Sequence, residues 1–129
     1  MLYQDKIQTD FLPNTQYLTG NLIKEIYYDW STYGGFGADI DGEINGSENL
    51  QIQGSVDGEN WTTLFTVQNG AQVTNNLIVD ADLPGHFICN IISYPQGRIV
   101  ASSGFTGNVK VVASITVLPP PDTAVVLGG

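Results

Sequence analysis

Apolar and polar residues alternate along several stretches of the chain, and this period of two predicts β-strands. Every second residue from Leu50 to Val56 is apolar or glycine, and the residues between them are Gln or Ser. Residues 57–60 (Asp-Gly-Glu-Asn) supply turn chemistry, and residues 61–67 are dense in aromatic and β-branched side chains. The stretch 50–67 is therefore predicted to form a β-hairpin.

Further strands are predicted downstream of this hairpin. Residues 77–81 read as a short strand, and the nearly continuous apolar run 87–92 predicts a central strand buried on both faces. Residues 109–117 alternate over the longest predicted strand. Glycine, proline and asparagine turns at this spacing predict an all-β fold, an antiparallel β-sandwich or jelly roll.

One segment fits two interpretations. The apolar residues of 22–30 would share one face of a helix, and the same residues also fit a strand. β-Branched and aromatic side chains, with glycines on both sides of the segment, favour a strand.

Both ends of the chain are predicted to extend from the body as arms. The predicted organisation is an N-terminal arm at 1–20, a β-sandwich domain at 21–118 and a proline-rich C-terminal arm at 119–129. Three successive prolines cannot donate ladder hydrogen bonds, so the sheet should stop before them. The apolar residues Val125, Val126 and Leu127 either fold back onto the domain or contact another subunit, and the stiff prolines favour a subunit contact.

Size and charge exclude several functions. The 129 residues and 13.9 kDa fit one domain, and thirteen acidic against four basic residues give a net charge of −9. This balance argues against binding to nucleic acid and to acidic membrane surfaces. Ten acids and no base lie between Lys24 and Arg98. They are predicted to keep the protein soluble, and docking onto a basic partner is the alternative.

The sequence also bears on the compartment. No apolar run is long enough to span a membrane, and residues 1–10 lack the apolar region of a secretory signal. Cys89 is the only cysteine, so no intramolecular disulfide forms. Synthesis in a reducing cytoplasm is expected.

The strongest candidate for a metal site is a set of alternating acids. Asp39, Asp41 and Glu43 resemble part of a calcium-binding loop, but the further ligands of an EF-hand are missing from the required positions. The same three residues fit equally well on the solvent face of a strand whose residues 40, 42 and 44 point inward. We expect no metal and no other cofactor.

Other candidates for chemistry are few. His86 and Cys89 are three residues apart, and on a strand that spacing puts them on opposite faces, so we expect Cys89 to be a buried apolar residue and the protein not to be an enzyme. Aromatic residues crowd the region 27–36. Trp30 and Tyr33 are candidates for stacking against a glycan, although core packing explains Trp30 equally well.

Parts of this sequence resemble two kinds of known domain. Residues 50–64 (LQIQGSVDGENWTTL) resemble a hairpin of discoidin-like and galactose-binding jelly-roll domains, and also hairpins of small β-sandwich virion proteins of tailed bacteriophages. Residues 86–94 (HFICNIISY) and 107–116 (GNVKVVASIT) are similar to strands of those phage proteins. With one cysteine and almost no bases, the chain departs from the sugar-binding domains, and no residue takes over their role.

The phage resemblance implies a structural component of a virion that is made in the host cytoplasm. We expect a small decoration or accessory protein on the outer surface of a capsid. Its partners would be the major capsid protein and further copies of itself, with a trimer favoured. A tail or baseplate protein and a carbohydrate-binding adhesion module are the alternatives.

Overall fold

The chain forms two β-sheets. The computed structural model describes residues 7–9, 14–20, 22–30 and 33–117. One sheet contains, in spatial order, β1 (Ile7–Thr9), β3 (Glu25–Asp29), β10 (Gln96–Ala101), β5 (Leu50–Ser55) and β6 (Thr62–Thr63). The other contains β2 (Asn14–Thr19), β11 (Asn108–Val117), β4 (Tyr33–Glu43), β9 (Gly85–Asn90), β7 (Val67–Gln68) and β8 (Ala71–Gln72). Every described strand pair is antiparallel except β1 and β3, which are parallel.

The core lies between the inner faces of the two sheets and confirms the predicted all-β sandwich. The inward residues alternate along each strand, as the pleat requires. Those from the five-stranded sheet include Ile26, Ile52 and Ile99, and those from the six-stranded sheet include Phe36, Ala38, Phe87, Val109 and Val111. The finer assignment as a jelly roll stays a prediction.

An aromatic cluster fills one region of this core. The Phe36 ring centroid lies 4.9 Å from that of Tyr28 and 5.0 Å from that of Trp30. Burial raises the pKa of Tyr28 well above its usual value. Among the described residues, neither the Tyr28 hydroxyl nor the Trp30 indole N–H has a hydrogen-bond partner.

The predicted hairpin is confirmed, with a shorter second strand than the sequence suggests. β5 pairs with β6 through Gln53–Thr63 and Gly54–Thr62. Gly58 has a φ of +79° at the turn, a conformation that glycine adopts without strain. Of the predicted strand 61–67, only residues 62–63 and 67 lie in strands, because the chain leaves β6 and crosses to β7 in the other sheet.

Two other strand predictions are also confirmed. Residues 25–29 of the ambiguous segment form β3. Residues 109, 111 and 113 of β11 are buried, and the residues between them are exposed or half-buried. β11 extends to Val117, the last described residue, and β4 rather than β11 is the longest described strand, by one residue.

One strand prediction was wrong, and another was right about a central strand but wrong about its burial on both faces. Residues 77–81 contribute only a single bridge, between Ile78 and Leu50, and residues 80–82 form a 3₁₀ turn. β9 is buried on one face alone, since Phe87 and Cys89 point into the core while Ile88 points outward. A run of apolar residues does not reveal whether a second layer covers the outer face.

The structure describes part of the predicted N-terminal arm and none of the predicted C-terminal arm. Within the segment 1–20, β1 pairs with β3 and β2 pairs with β11, so this segment adds a strand to each sheet. The predicted C-terminal arm at 119–129, with Val125, Val126 and Leu127, lies outside the described residues. In the part of the chain that the structure describes, no helix has the length and apolar character of a membrane span.

Candidate functional site

The outer face of the six-stranded sheet changes in character from one end to the other. At one end, the pairing of β2, β11 and β4 places Tyr17, Lys110 and Asp41 in one row. The next row contains Val112, Asp39 and His86, because Asp39 is opposite both of the others. We call Tyr17, Asp39, Asp41, His86 and Lys110 the polar end of this face.

A hydrogen bond joins two strands at the polar end. His86 Nδ1 lies 2.7 Å from Asp39 Oδ1. An ionised carboxylate only accepts hydrogen bonds, so Nδ1 carries the proton and Nε2 of the neutral ring remains an acceptor. The ring leans over Gly37, where an added Cβ would lie 3.3 Å from Nε2 and 3.4 Å from Ser114 Oγ. The hydrogen bond to Asp39 thus holds the His86 side chain across β4, and the lack of a side chain at Gly37 leaves room for the ring.

A groove crosses the polar end. One part, of about 470 Å³, is lined by Asp39, Asp41, Lys110, Val112 and the Pro84-Gly85 segment. An adjoining part, of about 280 Å³, shares Asp41 and Lys110 and reaches Tyr17, which is 50% exposed. Carboxylates, an ammonium group and an aromatic ring face therefore line one continuous shallow surface. Such a surface offers both hydrogen-bonding groups and an apolar platform to a polyhydroxylated ligand.

The candidate metal residues lie on this same strand. Asp39, Asp41 and Glu43 are exposed at alternate positions of β4, and Ile40 and Ile44 are buried as predicted, whereas Gly42 is exposed and not turned inward. The solvent-face interpretation of these acids is therefore confirmed. Among the described residues, no group of three or more His, Cys, Asp or Glu side chains is arranged to hold a metal ion.

The two residues predicted to contact a glycan do not form a platform. Trp30 is 1% exposed and packs in the core, because it follows β3 on the inner face, and Tyr33 is half-buried. Tyr17 at the polar end has the exposure that Trp30 lacks. The exposure of Tyr17 could have been predicted, because Tyr17 and the buried Leu18 occupy successive positions of a strand and so point to opposite faces. The segment 1–20 was interpreted as an arm instead.

His86 and Cys89 are separated as the strand geometry predicts. His86 is exposed on the outer face of β9, and Cys89 is buried on the inner face. Burial raises the pKa of the Cys89 thiol to about 11, and a contact with Thr66 opposes this shift. A thiol with so high a pKa is mostly protonated at neutral pH and is a poor nucleophile.

The other end of the outer face is apolar. Ile88 of β9, which is 49% exposed, pairs with Val67 of β7. Phe65 precedes β7 and is 59% exposed, and Ile92 follows β9 and is 61% exposed. We call Phe65, Ile88 and Ile92 the apolar patch. Isolated exposed apolar residues are common on protein surfaces, and three large ones at one end of a sheet make that end a candidate interaction surface.

On the outer face of the five-stranded sheet, one arginine contacts side chains from several strands. Arg98 Nε donates a hydrogen bond to Gln53 Oε1 at 2.7 Å, and Nη1 donates one to the Tyr27 hydroxyl at 3.3 Å. The guanidinium carbon lies 4.4 Å from the Trp61 ring centroid, and Nη1 is 3.7 Å from Glu25. Because its Nε and Nη1 groups and its planar face contact neighbouring strands, Arg98 is better placed to stabilise the sheet than to receive a ligand.

The acidic residues of 25–82 do not gather on one surface. Glu25 and Asp29 belong to β3 in one sheet, and Asp39, Asp41 and Glu43 belong to β4 in the other. The remaining acids lie in turns and loops at 48, 57, 59, 80 and 82. Negative charge is therefore spread over both outer faces, which suits solubility better than docking onto a single basic partner.

Comparisons with known proteins give a likeness of fold. No protein-family model matches the chain, and no curated protein matches it. The structure is similar to the crystal structure of YomS, a protein derived from the SPBc2 prophage, with a TM-score of 0.58 and 10% sequence identity. The aligned region covers 81% of this chain and 95% of YomS. At this level of identity, the two proteins share a fold.

Proposed function

We propose that this protein is a structural component of a bacteriophage virion. The observation that carries the proposal is the likeness to the prophage-derived YomS, which extends over nearly the whole of that protein. The resemblance of residues 50–64, 86–94 and 107–116 to small phage virion proteins supports it independently. A shared fold does not fix a role, so the further steps rest on the surface of this chain.

Within the virion, we place the protein on the outside of the capsid as a decoration or accessory protein. Exposed acids on both sheets and a net charge of −9 support this position, since packaged DNA would repel such a surface. The major capsid protein is then the partner, and the final location is the virion after synthesis in the host cytoplasm. A tail or baseplate position is the alternative within the same class.

The proposed arrangement is a homo-oligomer, with a trimer favoured. Small sandwiches with few strong contacts gain occupancy on a particle when several copies bind together. The segment Val125–Leu127 is the proposed subunit contact. Its apolar side chains follow three prolines that favour extended backbone.

We also propose that the role is structural rather than catalytic. Cys89 and His86 lie on opposite faces of β9, and the raised pKa of Cys89 disfavours its thiolate. The Asp39–His86 pair lies on an open surface, where water screens charge and little preorganised stabilisation is available to a transition state.

The test is the composition of purified particles. Phage particles produced in a host that expresses an epitope-tagged copy of the chain are banded on a density gradient, digested briefly with a protease and labelled with gold-conjugated antibody. We expect the tag on the capsid exterior and its loss on protease treatment. Absence of the chain from banded particles would contradict the virion proposal, and gold on the tail alone would support the tail alternative.

A second candidate function is carbohydrate binding, and the groove at the polar end favours it. Tyr17 offers a half-exposed ring beside Lys110 and Asp41, and Asp39 lines the adjoining part of the groove. Aromatic rings stack on sugar faces while charged and amide groups bond hydroxyls. On a virion, such a groove would contact a host glycan.

Titration with glycans followed by NMR tests this second function. The probes are neutral hexasaccharides of glucose, galactose and N-acetylglucosamine. We expect amide shifts at Tyr17, Asp41 and Lys110, and about tenfold weaker binding for Tyr17→Ala. Leu22→Ser is the matched control because Leu22 is exposed and is not among the groove residues. Unchanged spectra with all three probes would contradict carbohydrate binding.

A further inference from the structure

We propose that the apolar patch of one copy receives the C-terminal segment Val125–Leu127 of a second copy. This inference deepens the proposed function, on which it rests for its biological setting, by naming the surface that holds the subunits together. It is carried by the exposure of Phe65, Ile88 and Ile92, by the point where β11 ends, and by the charge of the two surfaces.

The residues of the patch lie at one end of the sheet, with the exposed Asn90 between Ile88 and Ile92 along the chain. The pairing of Val67 with Ile88 aligns β7 and β9, so Phe65 and Ile92 lie beyond Val67 and Ile88 toward the same end of the sheet. On the neighbouring strand β4, the outward positions 35 and 37 are glycines. At these two positions β4 has no side chain of its own, although the His86 ring leans over Gly37. A Val or Leu from another segment can pack against the exposed side chains of Phe65, Ile88 and Ile92.

The described chain ends at the same end of the sheet as this patch, with β4 between β11 and β9. Val117, the last residue of β11, is paired with Tyr33 of β4. The backbone N–H of Ile91 donates to the carbonyl of Gly34 at 3.0 Å, which places Ile92 at the same end of the sheet as Tyr33. Residues 118–129 therefore start from the end of the face that carries the patch.

The length and composition of those residues favour a second copy as the recipient. The eight residue steps from Val117 to Val125 span about 26–29 Å when fully extended, which is comparable with the width of a domain of this size. Pro119, Pro120 and Pro121 favour an extended left-handed helix, and immediate reversal onto the same face is therefore disfavoured.

The charge of the protein also favours a contact between the apolar patch and the C-terminal segment. Two copies with a net charge of −9 repel each other, so they approach most easily through surfaces without charge. The apolar patch contains no ionisable group, and residues 123–129 contain none. The polar end of the same face carries Asp39 and Asp41, and a second copy would meet repulsion there.

The experiment measures self-association of the full-length chain by sedimentation velocity. The patch variant is Ile88→Thr, and the tail variant replaces Val125, Val126 and Leu127 by Ser. We expect the unmodified chain to self-associate and each variant to do so at least about tenfold more weakly, with unchanged circular dichroism. Leu22→Ser, which alters a more exposed apolar residue outside the patch, is expected to associate normally.

Mixing the two variants identifies the direction of the contact. The patch variant supplies a tail and the tail variant supplies a patch, so together they should form a one-to-one dimer that neither forms alone. A monomeric unmodified chain, or a mixture that stays monomeric, would overturn the inference. The readout uses purified protein, so its failure is distinct from absence of the chain in purified particles.

Discussion

Asp57 organises the turn between β5 and β6 through its carboxylate. Its Oδ1 accepts hydrogen bonds from the backbone N–H groups of Asn60 and Glu59, each at 2.8 Å, and Oδ2 accepts one from the Asn60 side-chain amide at 2.7 Å. These bonds, with the Asn60 backbone contributing most, hold the pKa of Asp57 well below its usual value. The turn is therefore stabilised by the charged form.

Asp57→Ala should lower the melting temperature at neutral pH, and the loss should shrink in acid. A carboxyl whose pKa is lowered by folding stabilises the native state fully above its unfolded pKa of about 3.9. That contribution disappears as the pH falls below this value toward the folded pKa. Calorimetry of both proteins between pH 7 and about pH 2 measures the difference. Glu59→Ala, which removes a carboxylate with no described hydrogen bond, is the control, and a difference independent of pH would contradict the assignment.

Gly97 shows how closely β10 approaches the core aromatics. A Cβ at this position would lie 2.2 Å from the Trp30 ring. Gly97→Ala should destabilise the protein by about 1–3 kcal/mol, because a close-packed ring has no room to retreat. Urea unfolding measures the change. Gly46→Ala tests a glycine with a φ of +56° and open space around it, and a loss as small as about 1 kcal/mol is expected there. Equal losses at 46 and 97 would argue against overpacking.

At the scale of elements, Arg98 connects the strands of the five-stranded sheet. It lies on β10 and contacts Tyr27 of β3, Gln53 of β5 and Trp61 next to β6. The first and last of these strands share no backbone ladder with each other, since the strand order is β1, β3, β10, β5, β6. The guanidinium therefore couples elements that the backbone does not join directly.

Arg98→Ala should destabilise the protein by about 1–3 kcal/mol, the range for a partly buried charged hydrogen-bonding group. Arg98→Lys should recover only part of this loss, because an ammonium group cannot reproduce the planar fork and its stacking on Trp61. Chemical denaturation measures both variants. Lys110→Ala, an exposed base on the opposite sheet, should change stability by less than about 0.5 kcal/mol. Full recovery by lysine would show that charge alone matters.

The elements that could be predicted from sequence are those whose two faces differ. Alternation in residues 50–55, 39–43 and 109–113 predicts both the strands and the inward side, because water on one face and core on the other select different residues. Residues 87–92 gave no such contrast. Ile88 and Ile92 are exposed where a surface for another segment is proposed, and burial cannot be inferred from hydrophobicity at such a surface.

Which strands pair with each other could not be predicted from the sequence. β1 pairs with β3 and β2 with β11, which places residues 7–9 and 14–19 in different sheets. The residues of these short strands are equally compatible with an extended arm. Their place in the sheets follows only from the pairing with β3 and β11. The polar end was missed for the same reason, since Tyr17, Lys110 and Asp41 are adjacent only through strand pairing.

At the scale of the whole molecule, charge and apolar surface are segregated on the six-stranded sheet. Acids and Lys110 occupy one end of its outer face, and Phe65, Ile88 and Ile92 occupy the other. The net charge of −9 opposes association at any contact, while the proposed contact itself contains no ion pair. Salt should therefore act on the long-range repulsion alone.

Self-association should become stronger as ionic strength rises. The screening length falls from about 10 Å at 0.1 M salt to about 3 Å at 1 M, which weakens repulsion between copies and leaves apolar contact intact. Sedimentation velocity at low and high NaCl gives the two dissociation constants. Ile88→Thr should remain mostly monomeric throughout. Weaker association at high salt would indicate that copies pair through opposite charges.

The positions of the two tryptophans have an optical consequence. Trp30 lies in the core beside Phe36, and its indole N–H has no described partner, so its fluorescence should be blue-shifted by the apolar surroundings. Trp61 is half-buried under Arg98 at the hairpin, and contact with water should shift its emission to longer wavelength. Opening of the core and detachment of the hairpin should therefore change different parts of one emission spectrum, which makes local and global unfolding separable without an added dye.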